Sequence, residues 1–459
     1  MRPTICLLIA LVLVLTGFGA VCEQPASLRI DLPTDTLYIG QVLSAGIVFT
    51  PEDASGILSW SSTNPVCADV DENGVITAKA YGSTYIKAQC GRYTASAKVT
   101  VFKAPTVLTL SESCVCLEKG QTLPLGVSFN RDALAPVSFA SLSPEVASVD
   151  ENGVITALAT GSALITAETP GGLRQCCLVN VLGSELPDPV DFEVVFMDID
   201  SNDGILLRCG EEYAFIDSGS HNYGVQAVEF MQARGITHLK YYIGSHAHLD
   251  HIGGACVVLD RMEVDCVIVP HPLVESAIKS SAWTEEEKAA ARSANYIRIS
   301  HGETFYLGNI PFLCLGPVKV RSVDTKDVNE NGNSLVLRVD AGQVSLLLTG
   351  DATNLEINEI RKVYGEKLCT DVFKNPHHAA ELNDETIRFL SPRIAVFSTS
   401  SLRLPSRRYL DVLEGVGCVC YTTATRWHSD VTLYTDGTEI RVTTVFEDNR
   451  EAWALENKA

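Results

Sequence analysis

The sequence predicts a multidomain chain in which two small all-β sandwiches precede a mixed α/β layered domain. Three observations carry that reading. The string VDENGVITA occurs twice, at 70–78 and 149–157. Apolar and polar residues alternate over about 28–182, whereas from Phe192 onward short apolar runs alternate with longer helical ones. Finally, three of only ten histidines crowd into residues 246–251.

The chain of 459 residues is too long for one ordinary domain, and a soft prior gives about three. Residues 1–22 read as a secretory signal peptide. Arg2 is followed by an apolar run over 5–15, and small residues precede Glu23. Cleavage after Cys22 is expected, with a lipid anchor on Cys22 as the alternative. No later apolar run approaches the roughly 20 residues that a spanning helix needs, so the mature chain is expected to be secreted or at the cell surface.

The first sandwich is expected over 26–103 and the second over 104–183. Beyond the shared nonapeptide, GSTYIKA at 82–88 answers GSALITA at 161–167, and WSSTNPVCA answers FASLSPEVA. DENG between β-branched runs signals a hairpin, with Gly74 and Gly153 free to take positive φ. These units resemble bacterial immunoglobulin-like group 2 domains. The resemblance implies spacer or adhesive modules on exported proteins, with a cell wall or glycan as the expected partner. The second copy has Phe139 where the first has Trp60.

GSELPDPVD at 183–191 reads as a linker, and the last domain is expected over 190–447. FEVVFMDID and EYAFIDSG read as strands and YGVQAVEFMQARG as a helix. LKYYIGS is a strand feeding the histidines, and CVIVP is another. SAWTEEEKAAARSA is a helix, SLVLRVDAGQVSLLLTGDA a hairpin and ATNLEINEIRKVYG a helix. TDVFKNPHH is a strand ending in two imidazoles, and RRYLDVLEGVG is a helix.

GSHAHLDHIGG at 244–254 places His246 and His248 on one side of a strand end, with Asp250 and His251 on the following turn. That spacing suits two adjacent metal ions, one taking the first two histidines and the other taking Asp250 and His251. Imidazole with carboxylate suits two zinc ions, or manganese or iron. Asp351, at the end of LLLTGD, is the candidate bridging acid, and one of His377 and His378 completes the second ion. Asp250 is also the candidate base in a hydrolysis that uses a metal-activated water.

SHAHLDH, FIDSG, TGD and PHH, in that chain order, resemble the motifs of the metallo-β-lactamase superfamily. The resemblance implies a four-layer αβ/βα fold over about 192–444, metal-dependent hydrolysis, and Asp217 orienting a ligand histidine from behind. Within the superfamily, DIDSNDGILLRC, NGNSLVLRV and DVFKNPHH are similar to the exported domain of late-competence DNA-uptake proteins. GITHLKYYIGSHAHLDHIGGA and RLPSRRYLDVLEGVG resemble phosphorylcholine esterase modules. Two departures stand out. His271 and His301 lie between His251 and Asp351, but both read as structural or surface residues and neither occupies a convincing third-ligand position. PHHAA also stands where the competence-like branch has PHHGS.

Arg403, Arg426 and His428 are candidate substrate contacts, the arginines as a paired donor for phosphate. Both branches handle phosphate-containing polymers, so a phosphodiester or related ester is the expected substrate. It would be a small molecule or a cell-surface group. The net charge of −21 argues against a nucleic-acid face, and RLPSRR at 403–408 is the single basic cluster. Two other readings are a surface-binding protein with a degenerate metal domain and a secreted nuclease. Beyond the signal peptide thirteen cysteines remain. Cys67 with Cys90, and Cys114 or Cys116 with Cys176 or Cys177, are candidate disulfides if the chain is exported, while buried reduced thiols are the plainer expectation.

Overall fold

The computed structural model describes residues 26–52, 54–183, 190–270, 284–321, 330–400, 402–424 and 429–444. The expected signal peptide and Cys22 lie outside them, as do His271, Arg426 and His428. Among the described residues no helix is long and apolar enough to cross a membrane.

The two repeats fold alike. In the first, a sheet orders Thr36–Tyr38, Tyr93–Phe102, Gly82–Cys90 and Leu58–Ser62, facing a sheet of Val42–Ser44, Val75–Ala78 and Ala68–Val70. In the second, Cys114–Glu118, Arg174–Leu182, Gly161–Glu168 and Ser138–Ser141 face Thr122–Pro124, Val154–Ala157 and Ala147–Val149. The repeated DENG does the same work in both. Asp71 Oδ1 accepts the amides of Asn73 and Val75 at 2.9 and 2.8 Å. Asp150 Oδ1 accepts those of Asn152 and Val154 at 2.9 and 2.7 Å. Gly74 and Gly153 both take φ 79°, and a Cβ on either would come 2.8 Å from the Trp60 or Phe139 ring. The Trp-to-Phe exchange therefore keeps one aromatic ring seated on one glycine.

The repeats differ in what their outward faces meet. Leu164 pairs across the strands with Leu178, whereas the corresponding Tyr85 pairs with Lys98. Tyr85 is 50% exposed and Leu164 only 4%. Leu164, Cys176 and Leu178 are packed into the core of the α/β domain, and Tyr306 N–H donates to Ser162 Oγ at 2.8 Å. Leu108–Ser128 and the chain from Val137 onward, which hold most of the second sandwich and the α/β domain, are one compact unit, while the first sandwich with Phe129–Pro136 forms another.

Numbered from its own start, the α/β domain has strands β1 Phe192–Phe196, β2 Ile205–Cys209 and β3 Glu212–Ile216, then helix α1 His221–Ala233. β4 His238–Ile243 is followed by the single turn α2 Leu249–Ile252 and by α3 Ala255–Arg261. Next come β5 Glu263–Val269, α4 Glu285–Ser293, β6 Tyr296–Arg298, β7 Thr304–Leu307 and β8 Ile310–Gly316. β9 Val336–Ala341 and β10 Val344–Leu348 precede α5 Asn354–Tyr364, β11 Val372–Lys374, α6 Asp384–Leu390 and β12 Ile394–Phe397. α7 Arg407–Gly415, β13 Val419–Thr422, β14 Val431–Thr435 and β15 Ile440–Thr444 close the domain.

One sheet runs β6-β5-β4-β3-β2-β1-β14-β15 and the other β7-β8-β9-β10-β11-β12-β13. In each, an antiparallel part joins a parallel part: β3-β4-β5-β6 in the first and β10-β11-β12-β13 in the second. Buried apolar residues of both sheets make the central core. α1, α3 and α4 cover the outside of the first sheet, and α5, α6 and α7 the outside of the second. This is the expected four-layer arrangement. Because the parallel strands of both sheets stop at one end, their following loops share one crevice. Of the cysteines from Cys67 onward ten are buried, Cys114 and Cys369 are partly buried and Cys116 is exposed. All thirteen from Cys67 onward carry free thiols, so none of the candidate disulfides is formed.

Candidate metal centre

Every candidate donor in the described residues sits just beyond a strand. Asp217 follows β3, and residues 245–248 follow β4 with Asp250 and His251 on α2. Asp351 follows β10, and His377 and His378 follow β11. Asp217, His377 and His378 take φ values of 56°, 50° and 63°, a left-handed conformation that non-glycine residues adopt at a cost and that clusters at functional sites.

His246, His251 and Asp351 offer atoms within 4.8 Å of one another, and so do Asp250, His251 and His378. His246 Nε2 is 3.9 Å from Asp351 Oδ2, and His251 Nε2 is 3.2 Å from Asp351 Oδ1. His246 Nε2 and His248 Nδ1 lie 3.0 Å apart. His378 Nε2 is 3.3 Å from Asp250 Oδ2. Of the two histidines left open by the sequence, His378 is the one buried against Asp250. The half-exposed His377 has its Nε2 3.9 Å from Asp351 Oδ2, but that nitrogen also takes a hydrogen bond from Arg403 Nη2 at 3.0 Å.

The surrounding hydrogen bonds decide which ring nitrogens face the centre. His251 Nδ1–H donates to Asp217 Oδ2 at 2.8 Å. His378 Nδ1–H donates to the Ser398 carbonyl at 3.0 Å. Ser245 Oγ spends its one proton on Asp217 Oδ2 at 2.6 Å, so it can only accept from His246 Nδ1–H at 3.0 Å. All three rings thereby keep Nδ1–H pointing outward and Nε2 turned inward, the orientation a metal-binding imidazole needs. Burial alone would lower the His251 imidazole, but Asp351 and Asp217 outweigh it and raise the group well above its usual range, so a bound cation would take the place of its Nε2 proton. Asp217, expected behind the ligands, orients His251 directly and His246 through Ser245.

His251 Nε2 and Asp351 Oδ1 are buried with no hydrogen-bond partner. A buried donor set left unsatisfied is costly unless a cation completes it. Burial, then the neighbouring His251, holds the His246 imidazole well below its usual range, so it resists protonation. Burial alone would favour neutral carboxyls at Asp250 and Asp351. It is outweighed by the histidines around them, which hold both far below the ordinary carboxylate range. Asp203, buried in the β1–β2 loop, is paired with the fully buried Lys374 of β11 and cancels its charge. Asp217, Asp250 and Asp351 then leave an anionic pocket suited to a pair of divalent cations.

Sequence reasoning missed three contributors. Asp203 stands 3.6 Å from His251 Nδ1, and Lys374 Nζ also donates to the Gly350 carbonyl at 3.0 Å. Glu330, buried before β9, accepts the Ala247 amide at 3.2 Å and props the histidine loop. Their signals were faint: one acid among several in DIDSNDG, and a lone lysine within an apolar strand. His301 instead bonds the Tyr364 hydroxyl at 3.0 Å, as a surface residue.

Residues 135–182 match the bacterial Ig-like domain family. Over 195 residues the chain is 28% identical to ComE operon protein 3 of Bacillus subtilis, covering 41% of this chain and 24% of that protein. Over 274 residues it is 25% identical to competence protein ComA of Neisseria gonorrhoeae, covering 57% of this chain and 36% of that protein. The match thus spans well under half the length of either relative. A HARLDQ-motif metallo-β-lactamase from Cronobacter sakazakii aligns at TM-score 0.28 and 15% identity, covering 38% of this chain and 70% of that one. The chain thus joins a region that matches the bacterial Ig-like domain family to a four-layer α/β domain that carries its motifs at the strand ends and is similar in sequence to part of the competence proteins.

Proposed function

We propose that the chain is an exported metal-dependent hydrolase that acts on a phosphodiester or related ester. The observation that carries this reading is the convergence of three inward Nε2 atoms on the half-buried Asp250 carboxylate and the buried Asp351 carboxylate. His246, His248 and Asp351 would hold one cation, and Asp250, His251 and His378 the other, with Asp351 between them. A pair of divalent cations held there supplies Lewis acidity and lowers the pKa of a bound water to about 7. Zinc fits the imidazole and carboxylate donors, and manganese or iron fits the oxygen-rich half.

The chain's own groups bind and orient. Asp250 is half-buried and ionised, placed to accept a proton at Oδ2. Arg403 is exposed beside His377 at the mouth and provides a cation for a phosphate oxygen. The rest of the basic cluster is already neutralised. Arg407 pairs with Asp411 and Glu414, and Arg408 with Asp384 and Glu381. A single unpaired arginine with a net charge of −21 favours a small or surface-attached ester over long DNA. The Ig-like repeats would hold the catalytic domain at a cell wall or glycan.

The test is hydrolysis of bis-p-nitrophenyl phosphate, a choline-phosphate ester and plasmid DNA, each with Zn²⁺ or Mn²⁺ added. Turnover of the small esters is expected. Preferential plasmid cleavage would replace this substrate with DNA, and no turnover together with no bound metal would favour a binding protein.

A further inference from the structure

One group of metal-ligating side chains lies apart from the centre described above. His221 opens α1, Cys256 sits on α3 and Glu287 on α4, and their donor atoms lie within 4.8 Å of one another. Cys256 and Glu287 are buried, and His221 is partly open to solvent. Glu287 is aimed by its own helix. Its Oε2 accepts the Thr284 amide at 2.7 Å in a capping box, leaving Oε1 for His221 Nε2 at 2.9 Å. The Cys256 thiol donates to the Gly253 carbonyl over a loose 3.7 Å. A core that needed only small apolar bulk here would be served by alanine or valine without setting sulfur beside a carboxylate. Burial, then Glu287, keeps that thiol protonated in the metal-free protein.

We propose that His221, Cys256 and Glu287 form a second, structural cation site of the zinc class. Imidazole nitrogen, thiolate sulfur and carboxylate oxygen are all zinc donors, and solvent reaches the fourth position past His221. Binding releases the Cys256 proton to water, and the proton that His221 Nε2 donates to Glu287 in the metal-free protein passes through solvent to Nδ1, freeing the Nε2 lone pair for the cation while the ring stays neutral. Thiolate and carboxylate together balance the charge of a divalent ion.

The placement gives the site a purpose. α1 begins just after Asp217, and α3 just after His251 and the glycines at 253 and 254. A Cβ on Gly224 would come 2.5 Å from Gly254 Cα, so α1 and α3 touch backbone to backbone. A cation bound by α1, α3 and α4 would clamp the two loops that carry and orient the catalytic imidazoles.

Cobalt substitution of the full chain tests this. The catalytic donor set contains no cysteine, so a Co²⁺–thiolate charge-transfer band in the near-ultraviolet that is lost on replacing Cys256 reports that thiol and not the catalytic centre. The band is expected in wild type and in His246→Ala/His248→Ala, and absent in Cys256→Ser, which should also carry about one equivalent less zinc. Should Cys256→Ser misfold by circular dichroism, His221→Asn at the partly open edge is expected to weaken cobalt binding at least tenfold by titration of the same band. No band in wild type, or a band unchanged in the folded variants, would overturn the site. Loss of esterase activity in His246→Ala/His248→Ala with the band retained separates this proposal from the catalytic one.

Discussion

His251 Nδ1 lies 2.8 Å from Asp217 Oδ2, and that one hydrogen bond turns the opposite face of the ring toward Asp351. Asp217→Asn keeps a residue type that tolerates φ 56° but removes the charge that fixes the tautomer. Metal affinity, measured by competition with a chromophoric chelator, is expected to fall roughly 10- to 100-fold. Unchanged affinity would mean that the ring is oriented by packing instead.

Lys374 and Asp203 form a fully buried ion pair behind the centre. Lys374→Met leaves Asp203 charged and unpaired, which should cost about 3–5 kcal/mol in urea unfolding. Lys374→Met with Asp203→Asn should recover much of that loss. A double variant no better than the single one would show that the lysine acts through packing.

Glu356 on α5 is buried with neither carboxyl oxygen hydrogen-bonded. Burial raises its carboxyl well above the ordinary value, and Arg321 only partly offsets this. The folded state therefore keeps a proton that the unfolded chain has released above about pH 4.3. Stability from this group falls as pH rises from there to the folded value. Glu356→Gln removes that dependence, and its thermal midpoint at pH 7 should exceed that of wild type. A lower midpoint would reveal a partner for the ionised acid.

Gly74→Ala and Gly153→Ala test whether the two repeats share one constraint. Each replacement meets both the φ of 79° and an aromatic ring 2.8 Å away. Each should destabilise its sandwich by more than about 1 kcal/mol, read by denaturant unfolding. A neutral effect at either would break the equivalence.

Legibility in the sequence followed how locally each feature is encoded. His246, His248, Asp250 and His251 share one loop, so their common purpose shows in their spacing. Asp351 and His378 could be placed because each ends an apolar run. The choice of His378 over His377 depends on left-handed backbone at both positions and on the Ser398 carbonyl after another strand, which no spacing encodes. Asp203 and Lys374 are 171 residues apart and meet only because β1 and β11 belong to facing sheets. The attachment of the second sandwich could have been read. Leu164 and Leu178 stand where the first repeat has Tyr85 and Lys98, an apolar outward pair that needs cover.

The most direct test is metal content and bis-p-nitrophenyl phosphate hydrolysis of His246→Ala/His248→Ala against wild type. The account predicts that the variant loses metal from the centre and that its hydrolysis falls more than about 100-fold. A folded variant that hydrolyses the ester at the wild-type rate with its metal content unchanged would contradict it.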